Sequence, residues 1–166
     1  MFGGLLLSVG VLAIGMGQDM TTRTMLTAEI ASPAFRSDVI LEHPLDVVWS
    51  ALTRKSLIDR YYLAPIRTDI TAAGAEIIYG PPEAKLITGV VSVFEAPRLL
   101  VHSFRFDGDT ESPDTTVTYR LTAAGQGTRL ELIHAGYEVP SQGYADIEGG
   151  WPVILDRLKS LLDARR

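Results

Sequence analysis

Histidine is the side chain in this 166-residue chain best suited to acid–base or metal chemistry, and it occurs three times, at His43, His102 and His134. None of the three stands at metal-ligand spacing from another His, Asp or Glu in the manner of an HExxH helix. The chain has no cysteine, which excludes thiolate metal sites and a cysteine nucleophile. We therefore expect no metal site and no cofactor.

Two other motifs of catalysis and cofactor binding are also missing from the sequence. There is no Gly-x-Ser-x-Gly elbow to carry a hydrolase serine. The pair Gly125-x-Gly127 lies between two strand-like segments with no helix after it, so it predicts a hairpin rather than a dinucleotide-binding loop. We assign no catalytic residue from these patterns.

Strand alternation places two of the histidines on one side of a predicted sheet. The segments "LLVHSFRF", "TTVTYRL" and "TRLELIH" alternate with a period of two, which is typical of an antiparallel sheet with one face in water and the other covered. Histidines on the covered face are either satisfied interior side chains or polar anchors for a ligand, because a buried imidazole needs a hydrogen-bond partner. The predicted inner-face residues are Leu100, His102, Phe104, Phe106, Val117, Tyr119, Leu121, Leu130, Leu132 and His134.

A long carboxy-terminal helix is predicted to cover this face. In "GGWPVILDRLKSLLD" the residues Trp151, Leu155, Leu158 and Leu162 recur at helical spacing, while charged residues fill the other side. Two glycines precede the tryptophan, and Pro152 follows it at a position where a first-turn proline is tolerated. The pattern predicts that the helix begins at this tryptophan, which packs over the sheet.

Shorter elements are predicted ahead of the strands. Residues 35–41 read as a strand, and "LDVVWSALTR" has Leu45, Val48, Trp49 and Leu52 at the spacing of an amphipathic helix. The segment "SLIDRYYL" predicts a second short helix that ends at Pro65. Between residues 66 and 137 helical periodicity disappears, and turns rich in Gly and Pro separate intervals of strand length.

The composition is that of one ordinary globular domain. Hydrophobic residues make up 46% of the chain and charged residues 21%, which is enough for a sizeable core. Fifteen Lys and Arg against 20 Asp and Glu give a formal charge of −5, with no basic run except the terminal Arg165-Arg166. The electrostatic footprint of a nucleic-acid-binding protein is missing, so we expect no nucleic-acid partner.

The first 19 residues differ from all that follow. Residues 3–16 are uncharged and apolar, shorter than the ~20 residues of a spanning helix but of the length of a signal-peptide core. No Lys or Arg precedes them, which favours an apolar extension on a cytoplasmic protein over export or membrane tethering. We expect an amino-terminal segment at 1–19, a polar linker at 20–34 and one domain at 35–166, with membrane contact only through residues 3–16 if they are retained.

Four segments in order give the chain a family resemblance. The sequence contains "VWSALT", then "VFEAPRLLVHSF", then "GTRLELIHAGY", and finally "GGWPVILDRLKSLLD". Taken together they resemble the bacterial single-domain branch of the activator of heat-shock-protein-90 ATPase homologues, within the START-like (SRPBCC) superfamily. The resemblance implies an α+β helix-grip fold: a bent antiparallel sheet wrapped around a long carboxy-terminal helix, with two short helices and a cavity between helix and sheet.

Three functions are compatible with this fold. The first is non-catalytic binding of a small hydrophobic or aromatic molecule, because ligand pockets are mainly apolar with few polar groups. The second is an interaction protein that stimulates a chaperone ATPase, as the resemblance implies. The third is an aromatase- or cyclase-like enzyme, whose acid and base groups would come from His102, His134, Tyr119 and Tyr79. For the first function, the expected ligand contacts are Trp49, Tyr62, Val91, His102, Phe104, Phe106, Tyr119, Leu132, His134, Trp151, Leu155 and Leu158.

Overall fold

The alternating segments form one six-stranded antiparallel sheet in the computed structural model, which describes residues 34–109, 114–137 and 142–164. The amino-terminal segment 1–19 and all but the last residue of the linker 20–34 lie outside the described residues. The strands are β1 (Ala34–Leu41), β2 (Glu76–Tyr79), β3 (Ile87–Glu95), β4 (Leu99–Phe106), β5 (Thr115–Ala124) and β6 (Gly127–Ala135), in the sheet order β1-β6-β5-β4-β3-β2.

Strand register confirms the predicted inner face. His102 on β4 pairs with Val117 on β5, which pairs in turn with His134 on β6. One row along, Leu100, Tyr119 and Leu132 are paired in the same way. Residues opposite one another in an antiparallel sheet lie on the same face, so both histidines share a face with the buried aromatic and aliphatic side chains.

The opposite face of the sheet is more polar, but it is not uniformly exposed. Arg120 forms a 2.5 Å ion pair with Glu131, the residue opposite it on β6. One row of this face is nevertheless buried, formed by Val101, Thr118 and Ile133 on β4, β5 and β6. The prediction of one face wholly in water is therefore too simple for the centre of the sheet.

The carboxy-terminal helix α3 (Gln142–Asp163) begins well before the predicted start at Trp151. That prediction was wrong because Pro152 lies inside the helix, on its exposed side, where water can reach the Glu148 carbonyl that loses its N–H donor. Ile147 stands four residues before the tryptophan and is 5% exposed, so it extends the apolar stripe by one turn. Burial of this stripe outweighs the helix-breaking tendency of the two glycines and the proline.

Two short helices close one end of the sheet. The predicted stripe of α1 (Leu45–Thr53) is confirmed, since Val48, Trp49 and Leu52 are all buried. The second helix, α2 (Lys55–Ile58), is a single turn. It ends early because the Asp59 carboxylate accepts a hydrogen bond from the Ile66 N–H at 2.9 Å, which reverses the chain within a few residues.

The β2–β3 connection is a tight loop, which is fixed by a close backbone approach at Gly80 and by hydrogen bonds from Arg67. Gly80 has φ +133°, and a Cβ there would lie 2.4 Å from the Ala84 carbonyl oxygen, so only glycine fits. The Arg67 guanidinium donates to the carbonyls of Pro81, Pro82 and Ala84 at 3.3–3.4 Å. Between this loop and Lys55 lies a surface cleft of about 390 Å³.

The core lies between the inner face of the sheet, α1 and α3, as a helix-grip arrangement requires. The described residues belong to one compact unit, Ser32–Arg166. Within the ranges that the structure describes, no helix is long and apolar enough to cross a membrane. The largest fully buried side chains are Leu41, Val48, Ile58, Ile66, Ile77, Leu100, Leu121, Leu130, Leu132, His134, Leu158 and Leu162.

Candidate functional site

The inner face carries a continuous network of aromatic rings centred on Trp151. The indole is 3% exposed, and its ring centroid lies 5.8 Å from His134, 6.1 Å from Tyr119 and 6.2 Å from Tyr62. These edge-on contacts connect α3 to β5, to β6 and to the segment after α2. Through successive ring contacts the network includes Tyr61, Tyr62, Tyr79, His102, Phe104, Phe106, Tyr119, His134, Tyr137 and Trp151.

Hydrogen bonds of His134 fix its tautomer. The Trp151 indole N–H donates to His134 Nδ1 at 3.0 Å, and an indole nitrogen can only donate. In the neutral ring the proton therefore sits on Nε2, which lies 2.8 Å from the Thr115 hydroxyl oxygen. The single hydroxyl proton of Thr115 goes to the Phe104 carbonyl at 3.0 Å, since that oxygen can only accept. His134 Nε2 is thus a donor, and the hydroxyl oxygens of Thr115 and Tyr137, at 2.8 and 2.6 Å, are its acceptors.

This cluster joins the helix to three strands. It runs from α3 through β6 and β5 to the backbone of β4, and the Tyr137 hydroxyl adds a further contact 2.6 Å from His134 Nε2. Burial lowers the pKa of His134 well below its ordinary value, and the nearby His102 acts in the same direction. Protonating Nδ1 would also oppose the indole N–H, so the ring is held neutral.

His102 has the opposite tautomer, with its proton on Nδ1. Its Nδ1 lies 2.8 Å from the Ser103 carbonyl oxygen, and since a carbonyl can only accept, Nδ1 carries the proton. Across from it, Gly89 lets β3 approach β4 closely, because a Cβ on Gly89 would lie 1.9 Å from that carbonyl oxygen and 3.6 Å from His102 Nδ1. Burial lowers the pKa of His102 to about 4, although the bond to Ser103 acts in the other direction.

The remaining nitrogen of His102 has no hydrogen-bond partner in the described part of the chain. The side chain is 3% exposed, yet no fully buried side-chain nitrogen or oxygen among the described residues lacks a partner. His102 Nε2 therefore keeps contact with space that a water molecule can enter. It carries a lone pair, lies across the ring from the Ser103 contact, and has Tyr119 as its ring neighbour at 6.1 Å.

Four tyrosines add hydroxyl groups to the same interior. The rings of Tyr62 and Tyr79 stack at 4.1 Å, and Tyr61 meets Tyr62 edge-on at 6.4 Å. Burial raises the pKa of Tyr61, Tyr62, Tyr79 and Tyr119, and these phenols lie close enough that charge on one would raise the pKa of another. None of the four hydroxyls is hydrogen-bonded to a group in the described ranges, so by the reasoning used for His102 they too border accessible space.

The arrangement is therefore an apolar interior with a few unpaired polar atoms. One imidazole lone pair can only accept a hydrogen bond, whereas the phenol hydroxyls can donate or accept. Across the residues the structure describes, no group of three His, Asp or Glu side chains could hold a metal ion. Such a set of neutral groups is suited to orienting a neutral, mainly apolar molecule.

Most of the predicted contact residues are brought together. Phe104, Tyr119, Leu132 and Trp151 are buried in the interior, and Val91 pairs with His102 across β3 and β4. On α3, Leu155 and Leu158 continue the stripe of Trp151, and Phe106 is half-buried against Phe104, 5.1 Å away ring to ring. Trp49 differs from these, since the ring contact described for it is with Phe94, at 5.2 Å.

Sequence reasoning omitted four residues of the cluster from the predicted contacts. The helical spacing of "SLIDRYYL" places Tyr61 on one face with Leu57, Ile58 and Tyr62, although Tyr61 was not among the predicted contacts. Tyr79 lies in a strand of only four residues, which is too short to show a period. Thr115 could have been found, because a period of two along β5 places it on the same face as Tyr119. Tyr137 follows Gly136, whose φ of +100° ends the strand, so alternation gives no information there.

Comparison with protein families gives a match over most of the domain. Residues 42–163 match the profile of the family described as Activator of Hsp90 ATPase homolog 1-like protein. The matched range includes both short helices, β2 to β6 and α3. Comparison with curated proteins gave no match.

Solved structures from several organisms have a similar fold. Protein MLL2253 from Mesorhizobium loti has a TM-score of 0.73 at 22% identity, over 81% of this chain and 99% of that one. CalU16 from Micromonospora echinospora has a TM-score of 0.67 at 28% identity, over 79% and 76% of the two chains. PFC0360w, an Hsp90 activator from Plasmodium falciparum, has a TM-score of 0.68 at 18% identity, over 78% and 96%. These similarities agree with the six-stranded sheet and long carboxy-terminal helix described above.

Proposed function

This chain belongs to the family of Activator of Hsp90 ATPase homolog 1-like proteins, and we propose that it binds a small, mainly apolar or aromatic molecule between α3 and the inner face of the sheet. The binding is non-catalytic. The ligand packs against the aromatic network around Trp151 and takes hydrogen bonds from the few polar groups that border the interior.

The observation that carries this proposal is the set of polar atoms without a protein partner. These atoms border space that a water molecule can enter, so each of them is open to a hydrogen bond with a bound molecule. Here His102 Nε2 and the hydroxyls of Tyr61, Tyr62, Tyr79 and Tyr119 are not bonded to any described residue. A ligand or water molecules can therefore form hydrogen bonds with these five atoms.

His134 has a different role from His102 in this proposal. Both of its ring nitrogens have protein partners, in Trp151 and Thr115, so the ring connects the helix to the sheet. We assign it the positioning of Trp151 rather than direct contact with a ligand. Sequence alternation alone places both histidines on the inner face and cannot distinguish their roles.

A paired substitution on α3 tests the proposal. Leu155→Phe introduces a larger side chain on the buried side of α3. Val153→Phe introduces the same side chain at a position that is 42% exposed. The neutral fluorescent probe N-phenyl-1-naphthylamine should bind the wild-type protein saturably with a micromolar Kd, which corresponds to about −8 kcal/mol. We expect Leu155→Phe to weaken this binding and Val153→Phe to preserve it, with thermal melts confirming that both variants are folded.

Absence of saturable binding to the folded wild-type protein would contradict the proposal. Native mass spectrometry of protein purified from cells gives an independent reading, because a retained molecule adds a fixed mass that denaturation removes. A bound molecule also raises the melting temperature by mass action, so the melting temperature should increase with probe concentration.

Stimulation of a chaperone ATPase is the second candidate function. The family description and the name of the Plasmodium falciparum relative support it. A direct assay is the ATPase rate of Hsp90 with and without this protein, together with pull-down of the chaperone. Stimulation that persists in Leu155→Phe would assign the chaperone contact to the surface rather than to the interior.

An aromatase- or cyclase-like enzyme is a weaker alternative. A histidine general base works best when its pKa lies near the working pH, and burial lowers that of His102 to about 4. The four interior tyrosines have raised pKa values and stay protonated. These properties favour orientation of a neutral ligand over proton transfer.

A further inference from the structure

We infer that the interior selects ligands with a neutral hydroxyl donor, of the phenol class, and that His102 Nε2 is the atom that accepts the hydrogen bond. The inference rests on the proposed function and goes beyond it, because it assigns a chemical group to the ligand and a specificity role to one nitrogen. Three features of the described residues support it.

The orientation of the His102 ring is fixed. The Nδ1–H bond to the Ser103 carbonyl at 2.8 Å holds the ring against β4, and rotating the ring by half a turn would replace this bond with a C–H contact. The backbone approach at Gly89 leaves no side chain between β3 and the ring. Nε2 lies on the other side of the imidazole, and the direction of its lone pair is therefore fixed.

Among the unpartnered polar atoms of the described interior, His102 Nε2 alone distinguishes a donor from an acceptor on the ligand. A tyrosine hydroxyl rotates to donate to a carbonyl or to accept from a hydroxyl, so Tyr119 and its neighbours tolerate either group. His102 Nε2 can only accept while the ring is neutral. An ether or ketone oxygen placed there would face a lone pair, whereas a hydroxyl would complete the hydrogen bond.

The surroundings of His102 favour a neutral donor over a charged one. The residues paired with it on neighbouring strands are Val91 and Val117, both apolar and almost completely buried. An ammonium group there would be buried next to apolar side chains, which is costly without a carboxylate partner. A carboxylate supplies no proton to Nε2. A neutral hydroxyl on an aromatic ring satisfies both the nitrogen and the aromatic network.

A matched pair of ligands tests the inference. The probes 2-naphthol and 2-methoxynaphthalene share a ring system, but only the first can donate. Since a neutral hydrogen bond changes affinity by about threefold to tenfold, wild-type protein should bind 2-naphthol that much more tightly in a fluorescence titration. The methyl ether is the more apolar of the two, so apolar burial alone would give the opposite order.

Two variants of His102 separate the roles of its nitrogens. In His102→Asn the side-chain amide replaces Nδ1 and keeps the bond to Ser103, but nothing replaces Nε2, so the ratio of the two affinities should fall to one or below. In His102→Gln the amide group reaches the position of Nε2, and its oxygen should restore a preference for 2-naphthol. His43→Gln is the control, because His43 lies outside the aromatic network and contacts Asp163 near the end of α3, and it should leave the ratio unchanged.

The outcomes separate the inference from the proposed function. Equal binding of both probes by wild-type protein overturns the inference and leaves the ligand site intact. Saturable binding of neither probe, nor of N-phenyl-1-naphthylamine, overturns the proposed function and the inference with it. A preference for 2-naphthol that survives in folded His102→Asn also overturns the assignment to Nε2. If that variant does not fold, the wild-type ratio still decides whether the donor is required.

Discussion

Two histidines in the same row of the sheet are held in opposite tautomers by the groups next to them. His134 accepts at Nδ1 from the Trp151 indole, and His102 donates at Nδ1 to the Ser103 carbonyl. Each assignment follows from a partner that can only donate or only accept. The free lone pair is consequently on Nε2 in His102, whereas His134 uses both of its nitrogens within the protein.

Nitrogen NMR of the histidine rings tests these tautomers. We expect a protonated Nδ1 in His102 and a protonated Nε2 in His134 at neutral pH, seen in long-range nitrogen–proton spectra and assigned with His102→Asn. The same tautomer in both rings, or rapid exchange between tautomers in His102, would contradict the assigned hydrogen bonds.

The lowered histidine pKa values make the stability depend on pH. In the unfolded chain His102 titrates near its ordinary value of 6.5, whereas in the folded protein burial lowers its pKa to about 4. Between these values the unfolded state binds more protons, so the free energy of unfolding falls as the pH is lowered from about 6.5 to 4. The shift corresponds to about 3 kcal/mol for His102, and His134 changes stability in the same direction.

Urea unfolding at a series of pH values measures this effect. The wild-type curve should lose stability over that interval, and His102→Asn should lose less because one titrating group is gone. A free energy of unfolding that stays constant between pH 6.5 and 4 would show that the buried histidines do not resist protonation.

At the scale of elements, the attachment of α3 to the sheet depends on Trp151. Replacing it with Ala removes the centre of the aromatic network, and such changes cost about 3–5 kcal/mol. Trp151→Phe keeps most of the apolar contact but leaves His134 Nδ1 without its donor, which costs about 1–3 kcal/mol. We expect the free energy of unfolding to fall in the order wild type, Phe variant, Ala variant.

The exposed neighbour Val153 provides a control on the same helix. Val153→Ala should change stability by about 0.5 kcal/mol or less, because the side chain packs against little of the core. If Trp151→Ala is no more destabilising than Val153→Ala in denaturant unfolding, the indole does not anchor the helix.

The helices and strands could be predicted from sequence where the segment is long enough for its hydrophobic period to be recognised. Alternation along β4, β5 and β6 placed His102 and His134 on the inner face, and the stripe of α3 predicted its buried side. The start of α3 was missed because Gly149, Gly150 and Pro152 are local helix breakers, and only the burial of Ile147 shows that tertiary packing overrides them.

The site was less predictable than the fold because hydrogen-bond partners are not encoded in a period. Alternation gives the face on which a residue lies, but it does not show that Thr115 and Trp151 occupy both nitrogens of one histidine while the other keeps a lone pair. Tyr61 and Tyr79 join the interior through a one-turn helix and a four-residue strand. Their positions depend on the chain reversal at Asp59, which is a tertiary feature.

At the scale of the whole molecule, the sheet and α3 are contained in residues 34–163. These lie within the compact unit Ser32–Arg166. A protein that begins at Met20 should therefore fold cooperatively by itself, with the far-UV circular dichroism of a mixed α and β protein and a single thermal transition. A truncated protein that is unfolded or melts without cooperativity would show that the first 19 residues are part of the folding unit.

The measurement that tests the central claim most directly is an NMR titration of wild-type protein with 2-naphthol. If the interior between α3 and the sheet binds this ligand, saturable shift changes should appear at His102 Nε2, at the Tyr119 ring and at the Trp151 indole N–H. Signals of Val153 on the exposed side of α3 should not move. No saturable change, or changes confined to exposed residues such as Val90 and Val153, would contradict a ligand site in the interior.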